Sequence, residues 1–358
     1  MKANTERKIL KIEKNYYKRK KGKIIKNYYK SFLIMLFINI ILVFIIIIIL
    51  LQKRIVGKAN QKEEIINIKK KEKFEKENII YIERENKLID FNNIESFDYN
   101  ILREIQSKIF NHVFLPLNEQ KFLNGIVRKV KPKKVVEIGV ARGGSSAIIL
   151  NAIKDIEGSH LYSIEKLINL KYDISKKSGY LIKDKFQNLM DKWTFYVGGI
   201  TAEFIEKIGG DIDLVFLDTA HYTPGEMLDW LQVLPFLKEE AILVLHDTFL
   251  MYLFGNVEKT KRNYSNNQLF CYIRGDLIVP SYTSRDFEKN IGAIKLHKNQ
   301  KRYFIQYFLS LGTQWEYMPE SKDIDIMKKF FMKYYGERYT KIFEEAVEKN
   351  KKHLNINS

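Results

Sequence analysis

Between Val135 and His246, short and nearly continuous apolar runs alternate with stretches of helical period. The runs predict strands at 135–140, 161–165, 193–197, 213–218 and 241–246, with a later one at 291–296. Helices are expected near 145–155, 182–191, 201–208 and 224–235. Pro116 opens a further helical pattern through Phe122, Leu123, Ile126, Val127 and Val130, and residues 323–349 read as one or two amphipathic helices. Strands that are apolar on both faces and separated by helices belong to a parallel sheet covered on each side. The expected fold is therefore α/β, a doubly wound, mostly parallel, Rossmann-like sheet.

Upstream, the pattern changes character. Phe32 to Leu51 holds one polar residue, Asn39, in twenty positions. A helix of that length, at ~1.5 Å per residue, matches a bilayer core of roughly 30 Å, so one transmembrane helix is expected. A cleaved signal peptide has a shorter apolar region and a small-residue cleavage site, which Gln52-Lys53-Arg54 does not offer. The chain then divides into a basic tail (1–30), the span (31–52), a charged helical spacer (53–100) and a domain with C-terminal helices (101–358).

Charge alters this picture only at the N-terminus. The formal charge is +18, but residues 1–30 contribute 12 Lys/Arg against 2 Glu, which leaves +8 for all the rest. The tail, with its repeated Lys-Asn-Tyr-Tyr-Lys at 14–18 and 26–30, suits anionic lipid headgroups, and no nucleic-acid partner is expected. The single cysteine, Cys271, excludes an internal disulfide.

The candidate chemistry centres on the stretch from Val135 to Ser146. Two β-branched residues lead to Glu137, Gly139, and the Gly143-Gly144-Ser145 group before a helical run. A strand, a tight turn and a helix in that order place helix N-terminal N–H groups and bare backbone at the carboxyl end of a buried strand, where open α/β sheets bind ligands. Glu165 ends the next strand, where a carboxylate can accept hydrogen bonds from both hydroxyls of a ribose. The glycine spacing is not G-x-G-x-x-G, so a nucleoside-type ligand is favoured over a pyrophosphate.

The Glu137-x-Gly139-x-x-x-Gly143-Gly144-Ser145 turn, Glu165, Asp218-Thr219-Ala220-His221 and Leu245-His246-Asp247-Thr248 resemble the class I S-adenosylmethionine-dependent methyltransferases. The resemblance is nearest to the macrocin-type O-methyltransferase and cephalosporin-hydroxylase-like branch, over roughly residues 112–300. It implies that Glu137, Gly139, Ala141, Gly143, Gly144 and Ser145 hold the methionine end of S-adenosylmethionine. Glu165 would hold the ribose, Ile200 would lie in the adenine loop, and Asp218 would sit beside the cofactor. Ile200 stands where a polar residue is common in the family. Asp218 and Asp247 are the candidate ligands of a magnesium ion, a hard cation suited to oxygen donors. His221 is the first candidate general base and His246 the second, since an imidazole with an ordinary pKa of about 6.5 can take a hydroxyl proton near neutral pH.

The leading expectation is a membrane-tethered O-methyltransferase acting on a small-molecule, glycan or lipid-linked hydroxyl. The aromatics Tyr264, Phe270, Tyr272, Tyr282 and Phe287 form an acceptor-site lid or pack on the domain. Trp315 and the C-terminal helices cover a sheet edge or form a homo-oligomer contact. Alternatives are a different reaction on the same fold and a non-catalytic membrane anchor. Nine Lys/Arg between residues 53 and 76 nearly balance those of the tail, so charge favours a cytoplasmic N-terminus only slightly. A cytoplasmic methyl donor favours the opposite, a single-pass membrane protein with its catalytic domain on the cytoplasmic side.

Overall fold

Val135 and Val136 lie on opposite faces of one strand, and this alternation, repeated in the neighbouring strands, makes two separate cores. In the computed structural model the described residues are 91–249, 263–281 and 290–356. They belong to a unit running from Leu88 to Ser358. The apolar run Phe32–Leu51, the basic tail, most of the spacer, Tyr282 and Phe287 lie outside the described residues. Among the described residues, no helix is long and apolar enough to cross a membrane.

The strands are β1 (Lys134–Ile138), β2 (His160–Glu165), β3 (Asn169–Leu170), β4 (Asp173–Lys177), β5 (Trp193–Val197), β6 (Ile212–Leu217), β7 (Leu237–His246), β8 (Gly275–Ile278) and β9 (Ile291–Leu296). Seven form one sheet in the order β5-β2-β1-β6-β7-β9-β8. Its first five strands are parallel, whereas β9 pairs antiparallel with both β7 and β8. The chain leaves β1 toward β2 and β5, then returns to β6 and β7 on the other side. That reversal beside β1 opens a crevice at the carboxyl ends of the strands.

Val136, Ile138, Val215, Leu217, Leu243 and Leu245 face one core, shared with the helices Thr201–Ile208, Gly225–Val233, Ser321–Tyr335 and Glu337–His353. Val135, Leu214, Phe216, Ile242 and Val244 face the other, built on the helices Leu117–Val130, Gly144–Ile153 and Tyr180–Lys185. Residues 144–153 are buried throughout, which explains the lack of a polar stripe in their sequence.

The predicted strands fall within a few residues of those observed. Among the elements not anticipated are the β3–β4 hairpin, too short and polar to give a periodic signal, edge strand β8, and the helices Ser265–Tyr272 and Phe304–Ser310. The folded unit also begins before residue 101, because Ile94 is buried and its carbonyl lies where a side chain at Gly125 would have to go. Trp315 and the C-terminal helices close a sheet face: Trp315 is 1% exposed, and Phe331 packs edge-on to Phe308 and Phe343. Tyr264 is buried against Tyr222, and Phe270 packs on the core, so these two aromatics pack on the domain.

The last two helices are thus part of the core rather than an appendage. Phe331→Ala is expected to cost about 3–5 kcal/mol of unfolding free energy, measured by urea titration, because it leaves a cavity between three elements.

Candidate functional site

The turn after β1 is held from behind by a carboxylate that never meets solvent. Glu137 is 0% exposed and accepts hydrogen bonds from Ser145 Oγ and Ser146 Oγ at 2.6 Å and from Ser163 Oγ at 2.7 Å. Those serines belong to the helix that follows the turn and to β2, so one side chain ties three elements together. Burial pushes the Glu137 pKa up to about 7, against the lowering effect of the three hydroxyls. Glu137 and Ser145 were expected at the methionine end of the cofactor. Their side chains instead satisfy one another, and their part at the rim is to fix the backbone.

In front of the turn stands Glu165. Its Oε2 accepts the N–H groups of Val140 and Ala141, both at 3.0 Å, and its Oε1 accepts that of Leu167 at 2.8 Å. Ala141 has φ +47°, a strained value for a residue with a side chain, and the Glu165 bond helps to hold it there. Gly139 has φ +90°, and a Cβ there would lie 1.8 Å from the Asp218 carbonyl oxygen, so only glycine fits. Gly139, Ala141, Gly144, Ser145 and Asp218 line one hollow together with His112, Phe114, Leu115 and Arg142. Gly143 starts the buried helix beside it at φ +94°.

That hollow encloses about 40 Å³, room for a water molecule or so rather than a nucleoside. The reason is the segment 111–115, which lies across the turn. A Cβ on Gly144 would meet the Val113 Cα at 2.6 Å, and Arg142 Nη1 donates to the Asn111 carbonyl at 3.1 Å. Ile200, expected near adenine, sits at the start of its helix with its N–H given to Glu203 Oε2 at 2.7 Å and its side chain on the core.

Beyond Asp218 is a second cluster. His246 Nδ1 lies 3.1 Å from Asp218 Oδ1, and its Nε2 lies 2.9 Å from Glu119 Oε2. His221 Nδ1 lies 2.6 Å from Asp247 Oδ2 and 3.7 Å from Asp218 Oδ1. Glu226, fully buried, accepts the N–H groups of His221 at 2.6 Å and Thr219 at 3.2 Å. His221 and Asp247 both occupy the left-handed region, at φ +66° and +58°. Such strain persists only where surrounding bonds enforce it, and it aims both side chains at one point.

The electrostatics revise the role expected of the histidines. Burial by itself would lower the His221 pKa, but the adjoining Asp247 and the charges of Asp218 and Glu226 outweigh it and push it up to about 9. His246 is likewise raised well above 6.5, burial being overcome by Asp218, Glu119 and Asp247. Near neutral pH both are cations paired with carboxylates, so neither is a ready proton acceptor in this arrangement. Asp218 is held below its usual range, since His246 and His221 outweigh its burial.

Asp218, His221 and Asp247 each offer one ligand atom, all within 4.8 Å of one another. His221 Nδ1 and the Asp247 oxygen are close but poorly aligned for a hydrogen bond. A shared cation would relieve that contact, so the donor set fits a metal. An imidazole nitrogen among the donors suits Mn²⁺ or Zn²⁺ as well as Mg²⁺. Three residues here were not foreseen as site residues from the sequence, Glu119, Glu226 and Asn290. Glu119 is 1% exposed and also accepts the Asn290 N–H at 3.0 Å, while the Asn290 amide donates to Asp247.

Residues 136–248 match the family model described as a methyltransferase domain. This segment is therefore a methyltransferase domain. No curated protein matches the chain. Among solved structures, the O-methyltransferase TomG from Streptomyces achromogenes in complex with SAM is 14% identical, with 58% of this chain and 92% of that one covered at a TM-score of 0.38. The O-methyltransferase from Bacillus cereus in complex with SAH is 13% identical, covering 58% and 93% at 0.39. The Podospora anserina methyltransferase PaMTH1, bound to SAH, is 15% identical, covering 55% and 88% at 0.40. These likenesses are distant, and the assignment rests on the family match.

A raised carboxyl pKa means that the unfolded chain ionises from about 4.5 upward whereas folded Glu137 holds its proton to about 7. Its contribution to stability is therefore present at low pH and lost as pH rises through that window. Between pH 5 and 8 the wild type should lose up to about 3 kcal/mol more than Glu137→Gln, read from urea melts. Parallel pH profiles would show that Glu137 is ionised throughout.

Proposed function

We propose that this chain is a membrane-tethered S-adenosylmethionine-dependent O-methyltransferase whose acceptor is a hydroxyl on a sugar or another small or lipid-linked molecule. The observation that carries the reading is the meeting of the Gly139–Ser145 backbone, Glu165 and Asp218 at one rim of a methyltransferase domain. Bare turn N–H groups suit the methionine carboxylate, and Glu165 can exchange its bonds to Val140 and Ala141 for ribose hydroxyls. Segment 111–115 must swing off the turn to admit the nucleoside, as lids over such sites do.

Methyl transfer asks the protein mostly to align sulfonium, methyl carbon and acceptor oxygen. The Asp218, His221 and Asp247 group stands next to the hollow and supplies the charge for the acceptor side. Were a divalent metal held there, it would draw the acceptor hydroxyl in and lower its pKa. Without one, the two carboxylates orient the hydroxyl and His221 gives up its proton before it can receive another. The tether rests on the apolar run Phe32–Leu51, and the cytoplasmic placement of residues 53–358 rests on the compartment of the methyl donor.

Calorimetry on the detergent-solubilised full chain should detect S-adenosylmethionine or its demethylated product, and absence of binding at millimolar ligand overturns the reading. Glu165→Ala should weaken binding roughly 10- to 100-fold, the worth of one or two charge-assisted hydrogen bonds. Asp247→Ala should keep cofactor binding within about threefold and lose turnover with a panel of hydroxyl acceptors. A reporter fused at the C-terminus should remain cytoplasmic, and its export would count against methyl transfer.

A further inference from the structure

The β3–β4 hairpin leaves the sheet directly after Glu165 and returns at Gly179, which donates its N–H to the Ala141 carbonyl at 2.8 Å. It is therefore fastened to the rim of the site. Unlike an ordinary surface hairpin, it displays apolar side chains outward. Tyr172 is 87% exposed, Ile174 80%, Ile168 53% and Leu167 47%. The patch extends past the hairpin. Lys176 reaches over the Tyr180 ring, Tyr180 OH bonds His112 Nδ1 at 3.0 Å, and two residues on Phe114 stands 63% exposed beneath Arg142. Exposed apolar groups gathered at a site mouth mark a surface that meets another phase or partner.

The same segment, 166–177, carries four lysines and one aspartate. Lys171 and Lys177 make no ion pair among the described residues. A tyrosine and isoleucines projecting among lysines match the interfacial zone of an anionic bilayer, where rings and aliphatic groups enter the headgroup layer and ammonium groups meet lipid phosphates. A second copy of the hairpin fits less well, because a symmetric contact would bring together two copies of a segment with four lysines against one aspartate. The chain's own twenty-residue apolar run supplies the reason for a membrane to be near.

We infer that the hairpin 167–177, through Leu167, Ile168, Tyr172 and Ile174, docks the rim of the site onto an anionic lipid surface. This deepens the proposed function by favouring an acceptor presented at the membrane plane, but it does not need methyl transfer to be true.

The test uses the full chain in nanodiscs of phosphatidylcholine alone or with about one third phosphatidylglycerol. In a Cys271→Ser background, Tyr172→Cys or, as a control, Lys301→Cys is labelled with an environment-sensitive fluorophore. The label at 172 should shift to the blue and be quenched at least twofold by lipids carrying a spin label near the headgroup, more strongly with the anionic lipid. The label at 301 should do neither. Adding Ile174→Asp and Ile168→Asp should abolish the quenching while circular dichroism and S-adenosylmethionine binding stay unchanged. A label at 172 that remains in water in both nanodiscs overturns the inference. So does a shift that follows protein concentration and ignores lipid composition, which would assign the patch to a second copy. Loss of cofactor binding with quenching intact would sink the methyltransferase reading alone.

Discussion

The rim of this domain depends on one carboxylate without solvent. Glu137 accepts three serine hydroxyls from two elements, and so pins the end of β1, the start of the buried helix and the middle of β2 to a common point. A buried acid is costly unless its oxygens are satisfied, and here all three donors are short hydroxyls that reach it only if the turn is tight. The cost of burying Glu137 thereby becomes a demand on backbone geometry. Gly139 and Ala141 then take left-handed values that a free loop would not adopt. Glu165 completes the clamp from the solvent side by accepting the N–H groups that the strained turn exposes. The two acids share a neighbourhood but differ in setting, Glu137 being enclosed by serine hydroxyls and Glu165 bonded to backbone N–H groups.

Much of this could be read along the chain. Apolar runs located the strands of the parallel sheet because strands buried on both faces leave an unbroken signal, as in residues 213–218. The turn was legible because glycine is required where a Cβ would strike the Asp218 carbonyl. What escaped was whatever depends on distant partners. Glu119 sits on a helix whose pattern looked like ordinary packing, and only the fold brings it to a histidine 127 positions away. The protonation of His221 and His246 followed the same rule, since an ordinary imidazole becomes a cation once three carboxylates converge on it. The β3–β4 hairpin left no trace because its outward groups are mixed, apolar beside basic, with neither helical nor strand period.

The histidine cluster departs from an all-oxygen donor set. His246 is held at both nitrogens, by Asp218 and by the buried Glu119, and its side chain is 11% exposed. The carboxylates around it raise its pKa well above the ordinary value, against the effect of burial. His221 Nδ1 stands against Asp247, and its side chain is 40% exposed. Its place between Asp218 and Asp247 is the point at which those carboxylates converge. A proton on the imidazole and a metal ion would serve the same end there, relieving repulsion between two acids that the sheet has brought to adjacent strand ends. Glu226 behind it, pushed up to about 7 by burial, adds a further acid whose charge depends on the His221 cation. The group is thus balanced by two imidazoles whose pKa values the surrounding carboxylates raise, and its Asp218 lines the hollow beside the turn.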